Sequence, residues 1–331
     1  MATFFGLLPA VFIIVLAQLG RRVKVFAALT YALLLLVDLI LLLTAAGMEV
    51  LASQGNPLTG PWDGQTVSIS PADLHTVSVY TGVSAVVALL VLLPIVQRGL
   101  AYVIRIRPRD PVHATALSYA AYLIPLSVVQ RVFLDAMTRA GVNVSIVSAE
   151  DLIGQTAALI LLAFFGVGWF VQRPTRETFR RLGVVWPRGR EVTVAVGTAF
   201  GLLMMQSVLG VLWMALSPEG VQAVEDLSQM LLGKFFNPWG AVLIGVAAGL
   251  GEELVFRGAL QPRFGVLLTS VLFAMMHSQY FLSFAMVVVF LLGVVLGLVR
   301  KRVNTTAAIL THALYNTVLV LLAIYAPNFS P

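Results

Sequence analysis

Residues 247–258 read Ala-Ala-Gly-Leu-Gly-Glu-Glu-Leu-Val-Phe-Arg-Gly, so two carboxylates and one guanidinium lie inside a long apolar run. A charged side chain at the bilayer centre costs roughly 2.5–3.5 kcal/mol on insertion scales, so such a group of charges indicates pairing or a functional use. Residues four apart share a helix face, so Glu253 and Arg257 can form an ion pair, while Glu252 points about 100° away. The stretch therefore predicts a structural pair and one further carboxylate, Glu252, for chemistry.

The composition around this stretch is typical of a membrane protein. The 331 residues are 59% hydrophobic and 11% charged, and the mean hydropathy is +0.95. Because a span needs about 20 apolar residues, the chain is predicted to be an all-α, polytopic transmembrane helical bundle of about ten spans. The apolar runs lie near 4–20, 25–45, 76–96, 112–135, 151–171, 192–216, 239–262, 264–281, 283–299 and 305–325.

Most of the 21 Lys and Arg residues fall in alternate loops between these runs. By the positive-inside rule those loops are cytoplasmic, which places both termini outside and predicts a multi-pass protein of the cell membrane, in a bacterium the inner membrane. Topology thus explains the formal charge of +6, and no nucleic acid partner is expected. The absence of cysteine excludes disulfides, thiolate zinc sites and cysteine nucleophiles.

The loops also suggest how the chain divides. The segment 172–191 is the longest and most basic cytoplasmic connection, so we interpret it as a linker between an N-terminal region of about five spans (1–171), whose role is unassigned, and a C-terminal region of about five spans (192–331). The connection 46–75 is predicted to be an exterior, turn-rich loop. The segment 97–110 interleaves apolar residues with arginines and suits either the anionic inner leaflet or a solvated linker.

Two histidine patterns follow the charged stretch: Phe273-x-x-x-His277 and His312-x-x-x-Asn316. At 1.5 Å per residue, Glu252 and His277 lie roughly 15–20 Å from the predicted cytoplasmic helix ends, and His312 and Asn316 roughly 10–18 Å. All four reach the middle layer of a hydrocarbon core about 30 Å thick. The spacing therefore predicts that three helices contribute to a shared polar cavity.

These residue types suit hydrolysis of an acyl bond, most simply a peptide bond. A desolvated carboxylate beside an imidazole, Glu252 with His277, can act as a general base that activates water. His312 and Asn316 can supply donors that stabilise an oxyanion. Alternatively, Glu252, His277 and His312 could hold a divalent metal such as zinc. Because no His-Glu-x-x-His signature is present, metal-free chemistry is favoured and no cofactor is assigned, although the zinc alternative stays open.

At these residues the sequence resembles the CPBP family, which comprises CAAX-type prenyl endopeptidases and bacteriocin-processing or self-immunity proteins and includes intramembrane proteases of the Ras-converting-enzyme type. The three family motifs stand in order as Glu252-Glu253-x-x-x-Arg257, Phe273-x-x-x-His277 and His312-x-x-x-Asn316, over about 240–320. Nothing in the five N-terminal spans matches the family.

The resemblance implies that 192–331 is a helical intramembrane protease domain. Glu252 and His277 would activate water and His312 and Asn316 would form the oxyanion site, while Glu253, Arg257 and Phe273 would support the site. The family is described both as glutamate-type and as metalloprotease. Expected partners are the lipid bilayer and a membrane protein or a lipidated or C-terminally anchored peptide, as in the sorting-type myxosortases.

Two other functions remain open from the sequence. A non-enzymatic membrane scaffold or bacteriocin self-immunity protein could keep the same fold, although the intact motif set argues against this alternative. Charges buried at mid-depth also occur in transporters, but no inverted repeat is evident.

Overall fold

A computed structural model describes residues 2–62, 64–142, 147–280 and 283–325 of the chain. This part of the chain forms thirteen α-helices and one two-stranded antiparallel hairpin. The helices are α1 (Ala2–Gly20), α2 (Lys24–Ser53), α3 (Pro71–Leu92), α4 (Pro94–Leu100), α5 (Pro111–Arg139), α6 (Ala149–Gly166), α7 (Thr175–Leu182), α8 (Gly189–Leu216), α9 (Pro218–Leu232), α10 (Pro238–Glu253), α11 (Gln261–Met276), α12 (Phe284–Arg302) and α13 (Thr305–Tyr325). The strands are β1 (Leu58–Trp62) and β2 (Gln65–Ile69), and a π-helical turn (Leu254–Leu260) joins α10 to α11.

Within the described residues, eight helical runs are long and apolar enough to cross a membrane. They are α2, α3, α5, α6, α8, the continuous run Pro238–Met276, α12 and α13, and α1 contains a shorter apolar helix. The run Pro238–Met276 is 39 residues long and is broken at Gly265, whose φ of +79° favours glycine. It therefore covers two of the ten predicted apolar runs. The polytopic helical bundle is confirmed.

The connection predicted as a turn-rich loop at 46–75 contains regular structure. Helix α2 continues to Ser53, and β1 pairs with β2 before α3 begins at Pro71. Trp62 of β1 packs edge-on against Phe133 of α5, with the ring centroids 5.4 Å apart. Because β1 contains both Gly and Pro, its composition does not indicate a strand. The hairpin is a small exception to an otherwise helical fold.

The segment 97–110 lies partly inside the bundle. Ile104 and Ile106 are buried in the central apolar cluster, while Tyr102 and Val103 are largely exposed. The Arg105 backbone N–H also donates to the Arg263 carbonyl at 2.7 Å. Some side chains of this segment therefore pack in the core while others are exposed. Neither a segment lying on the inner leaflet nor a solvated linker would bury side chains in the core in this way.

Two glycines let α10 and α13 approach closely. A Cβ on Gly245 would stand 2.5 Å from the Ala313 carbonyl oxygen, and one on Gly249 would stand 2.8 Å from that of Ile309. Side chains at these positions would push the helices apart. The close approach brings the C-terminal end of α10, with its carboxylates, level with the imidazole of α13.

The basic segment 172–191 is folded onto the C-terminal helices. Leu182 of α7 is fully buried, and its carbonyl accepts a hydrogen bond from the Thr305 hydroxyl at 2.5 Å. The Arg181 guanidinium donates to the carbonyls of Gly258 and Ala259 at 3.0 and 3.4 Å. The division of the chain into two regions joined by this segment stays a prediction.

Candidate active site

The two adjacent glutamates stand where α10 changes into the π-helical turn. Asn237 caps the start of α10 by accepting a hydrogen bond from the Gly240 N–H at 2.9 Å, and Pro238 occupies the first helical position. Glu253 ends the α-helix, and the wider turn begins at Leu254. Such turns are rare and are often found at functional sites.

Guanidinium groups from two other elements bind the backbone of this turn. Arg300 Nε donates to the Arg257 carbonyl at 3.1 Å, and Arg181 donates to the next two carbonyls. A π-helical turn disturbs the regular pairing of carbonyls, which then need other donors. These contacts therefore fix the turn that follows the glutamates.

Glu253 and Arg257 lie within ion-pair distance inside the bundle. Arg257 Nε is 3.2 Å from Glu253 Oε2, and both side chains are almost fully buried. The guanidinium also donates to the Gly293 carbonyl at 3.2 Å and lies 4.4 Å from the centre of the Phe273 ring. The cation–π contact gives Phe273 of the second motif a role in holding Arg257.

The other oxygen of Glu253 contacts the third motif. Glu253 Oε1 is 3.0 Å from His312 Nδ1, and the His312 side chain is almost fully buried. Since a carboxylate accepts hydrogen bonds, Nδ1 is the donor and Nε2 lies on the opposite side of the ring. Glu253 thus contacts both Arg257 and His312, and spacing along the sequence indicated only the first of these partners.

Glu252 faces the histidine of the second motif. Its Oε2 lies 3.8 Å from His277 Nε2, and this oxygen is buried without a hydrogen-bond partner in the described part of the chain. His277 Nδ1 is 3.0 Å from the Phe273 carbonyl, which can only accept, so Nδ1 carries the proton. At 3.8 Å the two facing atoms are too far apart for a direct hydrogen bond, but one water molecule can bridge them.

One large cavity, of about 1310 Å³, contains all four predicted catalytic side chains in its lining. These are Glu252, His277, His312 and Asn316. Glu253 and Arg257 lie behind this lining, in the protein interior. The arrangement offers a carboxylate, two imidazoles and an amide to a molecule within the cavity.

The residues proposed as metal ligands do not form a compact set. Within the residues that the structure describes, no three His, Asp or Glu side chains come together in a way that could hold a metal ion. His312 Nδ1 contacts Glu253 and His277 Nδ1 contacts a backbone carbonyl, which leaves the Nε2 atom of each ring available to a ligand. Because Glu252, His277 and His312 are not brought together as a three-ligand set, we derive no step through a metal.

Tyr280 and Tyr315, which are not defining residues of the motifs, are among the other side chains that line the cavity. Tyr280 stacks on His277 with an angle of 9° between the ring planes, and burial raises the pKa of the Tyr280 phenol, which keeps the hydroxyl protonated. The Tyr315 hydroxyl donates to Gln206 Oε1 of α8. No pattern in the sequence indicated Tyr280 or Gln206. Tyr315 could have been noticed from its position between His312 and Asn316.

Two residues of α5 bind the backbone on either side of His277. The Ser127 hydroxyl donates to the Met275 carbonyl at 2.7 Å, and Arg131 donates to the Gln279 carbonyl at 3.0 Å. Arg131 also pairs with Asp135, one helical turn further along α5, at 2.9 Å. An N-terminal helix therefore holds the backbone that carries the predicted catalytic histidine.

Comparison with known families agrees with the resemblance seen in the motifs. Residues 234–318 match the family model described as type II CAAX prenyl endopeptidase Rce1-like, and this range contains every candidate residue of the three motifs. No curated protein and no solved structure matches the chain. The match supports a membrane-embedded peptidase in general.

Proposed function

We propose that the chain is an intramembrane endopeptidase that hydrolyses a peptide bond of a membrane protein or of a lipidated or C-terminally anchored peptide. The observation that carries this proposal is the 3.8 Å separation of Glu252 Oε2 and His277 Nε2 in the wall of a large cavity. A water molecule between these atoms could donate one hydrogen to each, which would direct a lone pair towards a substrate carbonyl.

The first step would be attack by this water, with Glu252 taking its proton. The new carbon–oxygen bond forms as the carbonyl π pair moves to its oxygen, which gives a tetrahedral oxyanion. Return of the proton from Glu252 to the departing amine nitrogen would complete the cleavage.

His312 and Asn316 would stabilise the oxyanion. The Asn316 amide can donate directly. His312 uses Nδ1 to contact Glu253, so it can donate from Nε2 only when both ring nitrogens carry protons. Glu253, which Arg257 also contacts, holds the His312 ring so that Nε2 points away from the carboxylate. Glu253 would therefore act on the reaction through His312.

Proteomic analysis of protein termini tests the proposed function. Membranes from a strain lacking the gene would be compared after complementation with the unmodified protein or with Glu252→Gln. We expect new termini, near membrane anchors, only with the unmodified protein. Identical termini in both strains, with equal protein levels, would contradict the peptidase and favour the scaffold or immunity alternative.

We also propose the cytoplasmic membrane of a bacterium as the location, with both termini outside, because the basic residues cluster in alternate loops. The chain has no cysteine, so single introduced cysteines report topology directly. In intact cells, a membrane-impermeant maleimide should label Thr59→Cys in the hairpin but not Thr175→Cys in α7. The reverse pattern would invert the orientation.

A further inference from the structure

The cavity has a second polar region, at the end predicted to be cytoplasmic. Four arginines line it: Arg21, Arg173, Arg181 and Arg263. They come from separate parts of the chain, namely the turn after α1, the segment before α7, α7 itself and α11. Here the name arginine cluster refers to these four residues. None of them belongs to the three motifs.

The arginine cluster carries more positive charge than its surroundings neutralise. Arg21 pairs with Asp110, with Nη2 and Oδ2 2.9 Å apart. Within the described residues, no carboxylate forms an ion pair with Arg173, Arg181 or Arg263. A cluster of four guanidinium groups with one carboxylate has a surplus of positive charge.

In the part of the chain that the structure describes, the partners of these three guanidinium groups are backbone carbonyls. Arg173 donates to the Val167 carbonyl, Arg263 to that of Arg105 at 3.5 Å, and Arg181 to two carbonyls of the π-helical turn. A guanidinium has five N–H donors, so each group retains donors for a further acceptor. Carbonyls are neutral, and the surplus charge therefore persists.

The neighbouring positive charges affect the pKa of Arg181. Burial, followed by the positive charges of Arg263 and Arg173, lowers the pKa of its guanidinium to about 10. Guanidinium groups that are held together in a partly buried environment repel one another unless an anion binds between them. The cluster therefore has the character of an anion site that the protein's own carboxylates do not fill.

The chemistry of the cluster favours a phosphate group over a single carboxylate. Several guanidinium groups from different directions suit a tetrahedral anion with three or four acceptor oxygens, and Arg binds phosphate through paired hydrogen bonds. A phosphate monoester carries about −1.5 to −2 charges at pH 7, which offsets more of the surplus than one carboxylate would.

The cavity next to the cluster is apolar. Val112 and Ala116 of α5 and Leu260 and Phe264 near the start of α11 line it close to the arginines. We propose that Arg173, Arg181 and Arg263 bind a phosphate group, and that the source is a phospholipid whose headgroup occupies the arginine cluster while its acyl chain lies in the adjoining cavity. This site is separate from the proposed catalytic residues, because Gly258 and Ala259, which Arg181 contacts, follow Glu252 by about 10 Å along the helix.

Equilibrium binding to the purified full-length protein tests this proposal. The probe is fluorescently labelled dioctanoyl phosphatidic acid in a neutral detergent. We expect saturable binding that unlabelled phosphatidic acid displaces and that phosphatidylcholine of the same chain length does not. Displacement by inorganic phosphate at comparable concentrations would identify free phosphate as the source, whereas its failure to displace the probe would identify the lipid.

Variants locate the site. Arg173→Gln with Arg263→Gln should weaken binding about tenfold or more, since charge-assisted hydrogen bonds are among the strongest. Arg180→Gln is the matched control, because Arg180 belongs to the same basic segment, is exposed and does not line the cavity. Arg181 is left unchanged since it also holds the π-helical turn. Thermal unfolding without lipid checks that the variants fold.

Three results would overturn the phosphate site. The probe could bind without saturation, phosphatidylcholine could displace it equally well, or Arg180→Gln could weaken binding as much as the cluster variant does. Displacement of the probe by a peptide with a free C-terminal carboxylate, at concentrations well below those that unlabelled phosphatidic acid requires, would assign the cluster to a carboxylate instead. If the cluster variant does not fold, the competition experiments on the unmodified protein still decide the outcome.

Discussion

Glu253 Oε1 and His312 Nδ1 lie 3.0 Å apart in the protein interior, which links the first motif to the third. The same carboxylate is 3.2 Å from Arg257 through its other oxygen. Glu253 therefore fixes the orientation of His312 as well as neutralising Arg257. A residue that the sequence indicated as purely structural thus lies one contact away from the proposed oxyanion site.

Replacing Glu253 by Gln should affect both roles. The amide can still accept from His312, but a neutral acceptor holds the ring less firmly than a carboxylate does, so cleavage should fall roughly 100-fold. Arg257 would lose its buried counter-charge, and breaking such a pair costs about 3–5 kcal/mol. The measurements are cleavage rate and the level of folded protein after detergent extraction.

The double variant Glu253→Gln with Arg257→Gln separates the two roles. Because it leaves no unpaired buried charge, it should restore much of the protein level lost in Glu253→Gln. Cleavage should stay low, since His312 still lacks its carboxylate. Recovery of full cleavage together with protein level would show that Glu253 serves stability alone.

Ser127 and Arg131 are expected to position His277 from outside the motif region. Removing both donors with Ser127→Ala and Arg131→Gln should lower kcat about tenfold, since small displacements of catalytic groups reduce rates strongly. KM should change little, because neither change alters the proposed catalytic groups. Arg131→Lys, which keeps a donor for the Gln279 carbonyl, should recover part of the rate.

Ser207→Ala is the control for loss of a hydroxyl. Among the described residues, the Ser207 hydroxyl bonds only within its own helix, to the Leu203 carbonyl at 3.0 Å. The kcat of the Ser207→Ala variant should match that of the unmodified protein. Equal kcat values for the Ser127/Arg131 variant and this control would refute the positioning role.

Zinc removal is expected to leave cleavage intact. Within the described residues, no three His, Asp or Glu side chains are arranged to hold a metal. The purified protein should therefore hold far less than one zinc per chain by elemental analysis and keep its rate after dialysis against a chelator. Stoichiometric zinc, lost in His277→Ala together with activity, would establish the metal mechanism instead.

Much of the bundle could be predicted from the sequence because long apolar runs allow few alternatives in a membrane. The rise per residue also predicted the shared depth of Glu252, His277, His312 and Asn316, and all four line one cavity. Depth does not determine how each helix is rotated about its axis. The bond between Glu253 and His312 depends on that rotation, so the sequence could not indicate it.

Other features were hidden for different physical reasons. The docking of α7 depends on Leu182, a fully buried apolar side chain in a basic segment whose overall composition is that of a solvated loop. The π-helical turn after Glu253 depends on carbonyl contacts with Arg181 and Arg300, which are distant in sequence. Long-range contacts of this kind leave no periodic pattern in the chain.

The most direct test of the account is the rate at which Glu252→Gln, purified in proteoliposomes, cleaves a substrate identified from its changed terminus. Glu225→Gln is the matched control, because Glu225 lines the same cavity but belongs to none of the motifs. We predict that Glu252→Gln lowers the single-turnover rate at least about 100-fold, since it removes the proposed general base, while Glu225→Gln keeps the rate of the unmodified protein. Cleavage by Glu252→Gln at the unmodified rate would contradict the proposed role of Glu252 in activating water.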